Sequence, residues 1–390
     1  MRKTALFLFG LVVTFIVALG LLILSSASEA NGLRLYGDAY YFLKRQAIYV
    51  VAGVVVAVVV AAFDYRKWRD HPSLTYLFCS VVFALLIAVL FCRAINGSHR
   101  WIALGPIRIQ PSEFAKLATV IAISVWMDKA GWRVELFMRG AFWPAAIVGL
   151  IAVPILLEPD FGSVMVIGLV GFMIMLVAGT RFWLHMLPLA FIGMTVLAVK
   201  VATNANRMAR IAAFFGVKLD VGAEVVDAAA ERAAYQVKQA LVAIGNGGIW
   251  GVGLNQSMQK HYYLPEAHTD FIFAIGAEEL GLLFSAGVLV LFLLFFILSV
   301  YIAAKASDRF GKFLVMGMMF IIFFQAMFNI GVVCNGFPTK GMALPFFSYG
   351  GTNMISAFFA VGTILSVGIH SYRDKKRQFT SKVVMRGRDA

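Results

Sequence analysis

Ten apolar runs, separated by short polar stretches, leave this chain few ways to fold outside a lipid bilayer. They are Thr4–Ser25, Gln46–Phe63, Ser73–Cys92, Ser112–Met127, Ala141–Leu157, Phe161–Ala178, Phe182–Thr203, Phe271–Ala303, Lys312–Asn335 and Tyr349–His370. Most approach the ~20 residues that carry an α-helix across a hydrocarbon core. In that medium each backbone N–H and C=O must be satisfied within the protein, so the runs are expected to be helices. Composition agrees: 61% of the residues are hydrophobic and 14% are charged, against about 25% charged in an average soluble domain. The sequence therefore predicts an all-α, polytopic membrane protein of about ten transmembrane helices. Residues 1–372 form one membrane domain, with a large extracytoplasmic loop at 204–270 between the seventh and eighth spans, and residues 373–390 form a basic tail.

Two runs depart from the average. The fourth is short and carries Glu113 and Lys116, which places it inside the bundle rather than against lipid. The eighth is long, and is expected to tilt or to project beyond the bilayer. The first run follows Met-Arg-Lys and is longer than the apolar segment of a usual signal peptide; it reads as an uncleaved first span.

Lysine and arginine give the orientation. With the N-terminus inside, nineteen of them fall in cytoplasmic segments and seven in the short outer loops. Both termini are therefore expected in the cytoplasm, and the loop at 204–270 outside. The same clustering accounts for the net charge of +14 without nucleic acid: the charges lie between apolar runs, as topology signals and contacts to membrane lipids do. Cys79, Cys92 and Cys334 form no C-x-x-C pair, which argues against a disulfide framework or a thiolate metal site.

Ionisable residues in or beside spans are costly and mark function by default. Four groups of them fall on the outer side. From Asn96 to Lys116, Arg100 and Arg108 are fixed cations, and Pro111-Ser112-Glu113 opens a helix on which Glu113 and Lys116 share a face. From Glu158 to Ser163, Pro159 ends one helix and Asp160 is placed to cap the next. From Tyr262 to Gly281, Asp270 opens an apolar helix just after Glu266 and His268. Helical spacing puts Asp270, Ala274, Ala277, Glu278 and Gly281 on one small, polar stripe. From Asn335 to Asn353, Lys340 lies in a loop rich in proline and glycine, and Gln325 and Asn329 on the preceding span are spaced as polar glue between helices. Each group has a bland reading as a cap, an ion pair or helix packing. Together they describe an outer-face site for an anionic amphiphile, in which cations stabilise a phosphate leaving group and a carboxylate takes a proton.

The same segments resemble the SEDS family (shape, elongation, division and sporulation), whose members include the elongation protein RodA and the division protein FtsW. RWIALG, QPSEFAK, PDFGS, LPEAHTDFIFAIGAEELG, PTKGMALP and SYGG stand in the family's order from about Asn96 to His370. Phe161 in PDFGS, Gln259-Lys260 before the LPE segment, and the run from Pro338 to Gly341 favour the division branch over the RodA type. The resemblance implies a peptidoglycan glycosyltransferase that polymerises lipid II, releasing undecaprenyl pyrophosphate, for septal wall synthesis during cell division. It implies the bacterial inner membrane at the division septum. It implies as partners a class B penicillin-binding protein, a transpeptidase, and other divisome proteins. It places the essential aspartate at Asp270 and the family's acid–lysine pair at Glu113 and Lys116. Arg100, Asp160, Arg207, Arg210, His268, Glu278 and Lys340 complete the expected substrate-binding set, the arginines on grounds of charge. The family admits a divalent cation, Mg2+ or Mn2+, near the pyrophosphate, although the sequence offers no dedicated ligand cluster. The stretch from Gly216 to Ala233, Ala240, and Thr352-Asn353-Met354 after SYGG depart from the family's pattern. On the residues alone, a lipid II flippase and a non-catalytic divisome scaffold stay open beside the enzyme.

Overall fold

A computed structural model describes residues 2–92, 100–105, 107–158, 160–203, 208, 210–211, 214–215, 224–261 and 263–386. The described residues are a helical bundle with one small hairpin. In chain order they form α1 (Arg2–Ala27), α2 (Glu29–Tyr36), α3 (Tyr41–Ala62), α4 (Lys67–Asp70) and α5 (Pro72–Leu90). The antiparallel strands β1 (Ile102–Leu104) and β2 (Ile107–Ile109) come next, followed by α6 (Pro111–Ala130), α7 (Trp143–Leu157), α8 (Phe161–Ala178) and α9 (Leu187–Ala202). The chain closes with α10 (Glu224–Gly247), α11 (Ile272–Ala304), α12 (Arg309–Val333) and α13 (Gly351–Arg386).

Nine helices among the described residues are long and apolar enough to cross a membrane. The tenth expected span is α6, and its composition explains why it stands apart. Its buried side chains include Ser112, Glu113, Lys116, Thr119 and Ser124 as well as aliphatic residues, so nearly all its faces meet protein rather than lipid. It packs against α5, α7, α8 and α12. Lipid-facing helices show the opposite pattern: on α3, Ile48, Val51, Val55, Val58 and Val59 are exposed.

The long eighth run does not continue as one unbroken helix. It becomes α11, which breaks at Gly281, where φ is 69° and ψ is −160°. A helix broken in this way leaves carbonyls without their i+4 donors. The glycine-rich segment from Gly247 to Gly253 supplies new ones: Val252 N donates to Glu278 O and Gly253 N to Glu279 O, both at 3.0 Å. Leu282 N returns a bond to Gly248 O at 2.9 Å. Only glycine permits this approach, since a Cβ on Gly251 would lie 2.1 Å from Glu279 O and one on Gly281 2.5 Å from Ile249 O.

At the opposite end of the bundle, an ionic network joins four elements. Arg66 contacts Asp308 and Asp374, and Arg69 lies 3.6 Å from both Asp128 and Asp308. Asp308 also caps α12 by accepting from Gly311 N at 2.7 Å. α13 continues as one helix through Arg386.

Candidate active site

The segment Glu266–Phe271 leads into α11 and is held at three successive residues. Tyr349 N donates to His268 O at 3.0 Å, Ser348 Oγ to Thr269 O at 2.5 Å, and Asn329 Nδ2 to Asp270 O at 2.7 Å. Ser348 and Tyr349 belong to the SYGG turn, which is itself fixed by Gln46: Gln46 Nε2 donates to Ser348 O, and Gly350 N donates to Gln46 Oε1. Asn329 sits on α12 with 2% of its surface exposed. Its Nδ2 donates a second bond to Met342 O at 2.6 Å.

These bonds fix the Asp270 backbone and leave its side chain free for other work. The carboxylate is half-buried and lies against Gly341, where a Cβ would come within 2.5 Å of Asp270 Oδ2. Among the described residues nothing donates a hydrogen bond to it. Desolvation, followed by the like charge of Glu266, pushes its pKa up to about 7, while Arg210 and Arg100 pull the other way. Desolvation and the like charge of Arg100 lower Arg210, which Asp270 pulls back up. Asp270, Arg100 and Arg210 thus sense one another across the mouth of the bundle. His268, two residues away, packs against Phe42 with ring centroids 4.8 Å apart; burial lowers its pKa, and Glu266 pulls the other way.

A second carboxylate is arranged quite differently. Asp160 is the N-cap of α8 and accepts from Ser163 N at 3.4 Å, from Ser163 Oγ at 2.6 Å and from Ser112 Oγ at 3.2 Å. Burial alone would raise its pKa, but Lys340 and Arg100, with the Ser163 bond, more than offset this and hold it below the usual carboxylate value. Lys340 lies along the start of α8, with its ammonium 5.7 Å from the centre of the Phe161 ring. Gly162 makes room for it, since a Cβ there would meet Lys340 Cε at 2.8 Å. Arg100 is tied to the same corner by an Nε bond to Glu158 O at 3.3 Å. Asp160 is thus a counter-charge that holds cations in place.

Glu113 and Lys116 form an interior pair at 2.7 Å, and Ser356 Oγ donates to the other Glu113 oxygen at 3.0 Å. The pair joins α6 to α13 beneath the hairpin. The hairpin itself is pinned by Thr352, whose hydroxyl donates to Arg108 O and accepts from Gln110 N.

The structure brings Asp270, Arg100, Arg210, Asp160, Lys340 and His268 to one end of the bundle. Arg207 lies outside the described residues. Glu278 is engaged elsewhere: its carboxylate accepts from Ser257 Oγ, from Gln259 N at 3.3 Å and from Asn246 Nδ2 at 3.4 Å. Its neighbour Glu279 accepts from Ser26 Oγ at 2.5 Å and lies 3.6 Å from the buried Lys260 ammonium. The broken turn at Gly281 and the loop folded on it, rather than helical spacing, decide where Glu278 points. A cavity of about 570 Å3 lies beside this cluster, lined by Glu29, Arg34, Asn255, Lys260 and His261 and not by Asp270.

Three residues in the site carry no obvious sequence signal. Gly341 is legible only as part of a turn-rich run. Asn329 reads as helix glue. Glu158 is fully buried with neither carboxylate oxygen bonded among the described residues, and desolvation followed by the charge of Asp160 raises its pKa to about 8. For a divalent cation the donor set is poor: among the described residues no group of three or more His, Cys, Asp or Glu is placed to hold one.

Comparison with known proteins shows the family of the chain. A family profile described as "Cell cycle protein", covering FtsW, RodA and SpoVE, matches residues 6–373. A relative from Geobacter metallireducens, named "Probable peptidoglycan glycosyltransferase FtsW", is 36% identical over 89% of this chain and 90% of its own. Among solved structures, the Rod shape determining protein RodA of Thermus thermophilus superposes with a TM-score of 0.67 at 26% identity, over 93% of this chain and 96% of that one. A chain from a structure titled "Structural coordination of polymerization and crosslinking by a peptidoglycan synthase complex" gives a TM-score of 0.66 at 25% identity, over 93% and 97%.

Proposed function

This chain belongs to the SEDS family, on the division side with FtsW, and from that premise we propose that it is a peptidoglycan glycosyltransferase that polymerises lipid II for the septal wall. One observation carries the assignment of the base. Asp270 is the carboxylate at this end of the bundle that is half-buried, accepts no hydrogen bond among the described residues, and lies within the field of Arg100 and Arg210. A base near neutrality is what proton abstraction from a sugar hydroxyl needs.

In the reaction, Asp270 takes the proton of the acceptor's 4-hydroxyl. The oxygen forms its bond to the donor's anomeric carbon as the bond from that carbon to undecaprenyl pyrophosphate breaks. The leaving group departs with the bonding pair, and Arg100, Arg210 and Lys340 offset its negative charge. Asp160 keeps Lys340 at that wall, and Glu113 with Lys116 holds α6 and α13 beneath it. No step is assigned to a metal ion. The excess of lysine and arginine at the other end of the spans supports a cytoplasmic location for both termini, in the inner membrane, with this site outside. The likeness to a chain of a peptidoglycan synthase complex supports a penicillin-binding transpeptidase as partner.

The test is direct. The protein, purified with its penicillin-binding partner, is given labelled lipid II, and glycan chains are separated by length. Wild type is expected to make polymer and Asp270→Asn at least about 100-fold less. Polymer from Asp270→Asn at the wild-type rate would remove Asp270 as the base, and lipid scrambling in vesicles without polymer from wild type would favour translocation instead.

A further inference from the structure

Asn329 has a place that helix glue does not explain. Its side chain touches no neighbouring helix through Nδ2. Both bonds of that nitrogen go to loop carbonyls, those of Asp270 at 2.7 Å and Met342 at 2.6 Å. One of those loops enters α11, and the other follows α12 and carries Lys340 and Gly341. The bonds are short and lie in a site with 2% exposure, where water cannot replace them. The Asp270 carboxylate rests on Gly341, the residue between Lys340 and Met342. The Asn329 amide therefore ties the aspartate directly to the segment that bears the lysine.

We propose that Asn329 is a positioning residue of the transfer reaction, a bridge that holds the Asp270 backbone and the Lys340–Met342 segment at the spacing the substrate requires. This rests on Asp270 being the base. Of the other bonds to this segment, Tyr349 N holds His268 O, and Ser348 Oγ donates to Thr269 O while accepting at 2.7 Å from Leu344 N, two residues beyond Met342. Asn329 is the donor that bonds Asp270 and Met342 themselves. Displacing reacting groups by about 1 Å costs on the order of 100-fold in rate, so the bridge matters for turnover more than for folding.

Three variants test it in the full-length protein with its penicillin-binding partner. Asn329→Ala removes both bonds, Asn329→Ser keeps one hydroxyl donor of shorter reach, and Asp270→Asn is the control for the underlying reading. Each is checked for monodisperse elution and thermal melting, then for lipid II binding, turnover and its pH profile. Asn329→Ala is expected to bind lipid II within about two-fold of wild type while turnover falls roughly 10- to 100-fold. Its acid limb should move to lower pH. A loosened Asp270 gains water and loses the desolvation that raises it, while Glu266, His268, Arg100 and Arg210 stay in place and Lys340 moves with its own loop. Asn329→Ser should fall between. A merely structural role would lower the folded fraction and scale the activity without moving the limb.

Wild-type turnover with an unmoved limb in folded Asn329→Ala overturns the inference. If that variant does not fold, Asn329→Ser decides on the same readouts. Wild-type activity in Asp270→Asn would instead overturn the assignment of the base, whatever the Asn329 variants do.

Discussion

Two groups of carboxylates stand a few residues apart at the head of α11, and they have opposite fates. Glu278 and Glu279 are almost wholly buried, and donors surround them: Ser257, Gln259 N and Asn246 on one, Ser26, Ser257 N and Lys260 on the other. Asp270 is less buried, yet its carboxylate accepts no bond among the described residues, and its charge is balanced only at a distance. Burial alone therefore does not mark a reactive acid. What distinguishes Asp270 from this pair is the lack of local donors, and from the equally unbonded but fully enclosed Glu158 its partial exposure, which leaves its lone pairs available.

The largest effect expected from this contrast is on activity. Asp270→Asn should lower lipid II polymerisation by roughly 10²- to 10⁴-fold, the usual contribution of a general base, with its melting temperature kept. The sign of the stability effect follows from the raised pKa. The ionised form is disfavoured in the fold, so above about pH 7 the variant should melt no lower than wild type. A variant that melts early would make Asp270 a structural acid like its neighbours.

The converse experiment is on Lys260. Its side chain is 1% exposed beside Glu279 at 0%, and removing it strands a buried charge. Lys260→Ala should cost about 3–5 kcal/mol, read by thermal melting in detergent, with activity per folded molecule little changed. Replacing both partners, Lys260→Met with Glu279→Gln, should recover most of the loss. Equal damage in the double variant would break the comparison.

A smaller effect is expected at Gly341. An added methyl 2.5 Å from Asp270 Oδ2 must push one or the other aside. Gly341→Ala should lower turnover by roughly 10-fold, an intermediate value for a sub-ångström displacement. Last, the acid limb of wild-type turnover should lie near pH 7, activity rising as Asp270 loses its proton. A limb near the ordinary carboxylate value would mean a well-solvated base.

Much of this was legible in the sequence because lipid imposes a one-dimensional rule. Apolar runs of the right length gave the spans, and Glu113 with Lys116 marked α6 as interior. Asp160 reads as a cap and is one. What the runs do not encode is how loops return to helices. The position of Glu278 was read from helical spacing alone, but its surroundings come from Asn246, Ser257 and Gln259, which are 19 to 32 residues away. One donor to Glu279 comes from still further, at Ser26. Asn329 looked like a contact between helices because its two carbonyl partners have no side-chain signature at all. The hairpin at Ile102–Ile109 is too short to give a period.

The broken turn at Gly281 has a consequence for biogenesis. The carbonyls of Glu278 and Glu279 find their partners in Val252 and Gly253, on a stretch that, in the proposed orientation with both termini inside, is first carried across the bilayer. Until that stretch folds back, the head of α11 is unfinished and the aspartate beside it has no fixed surroundings. A half-inserted nascent chain would therefore be unable to start making glycan, and export of the loop and acquisition of catalytic competence become one event.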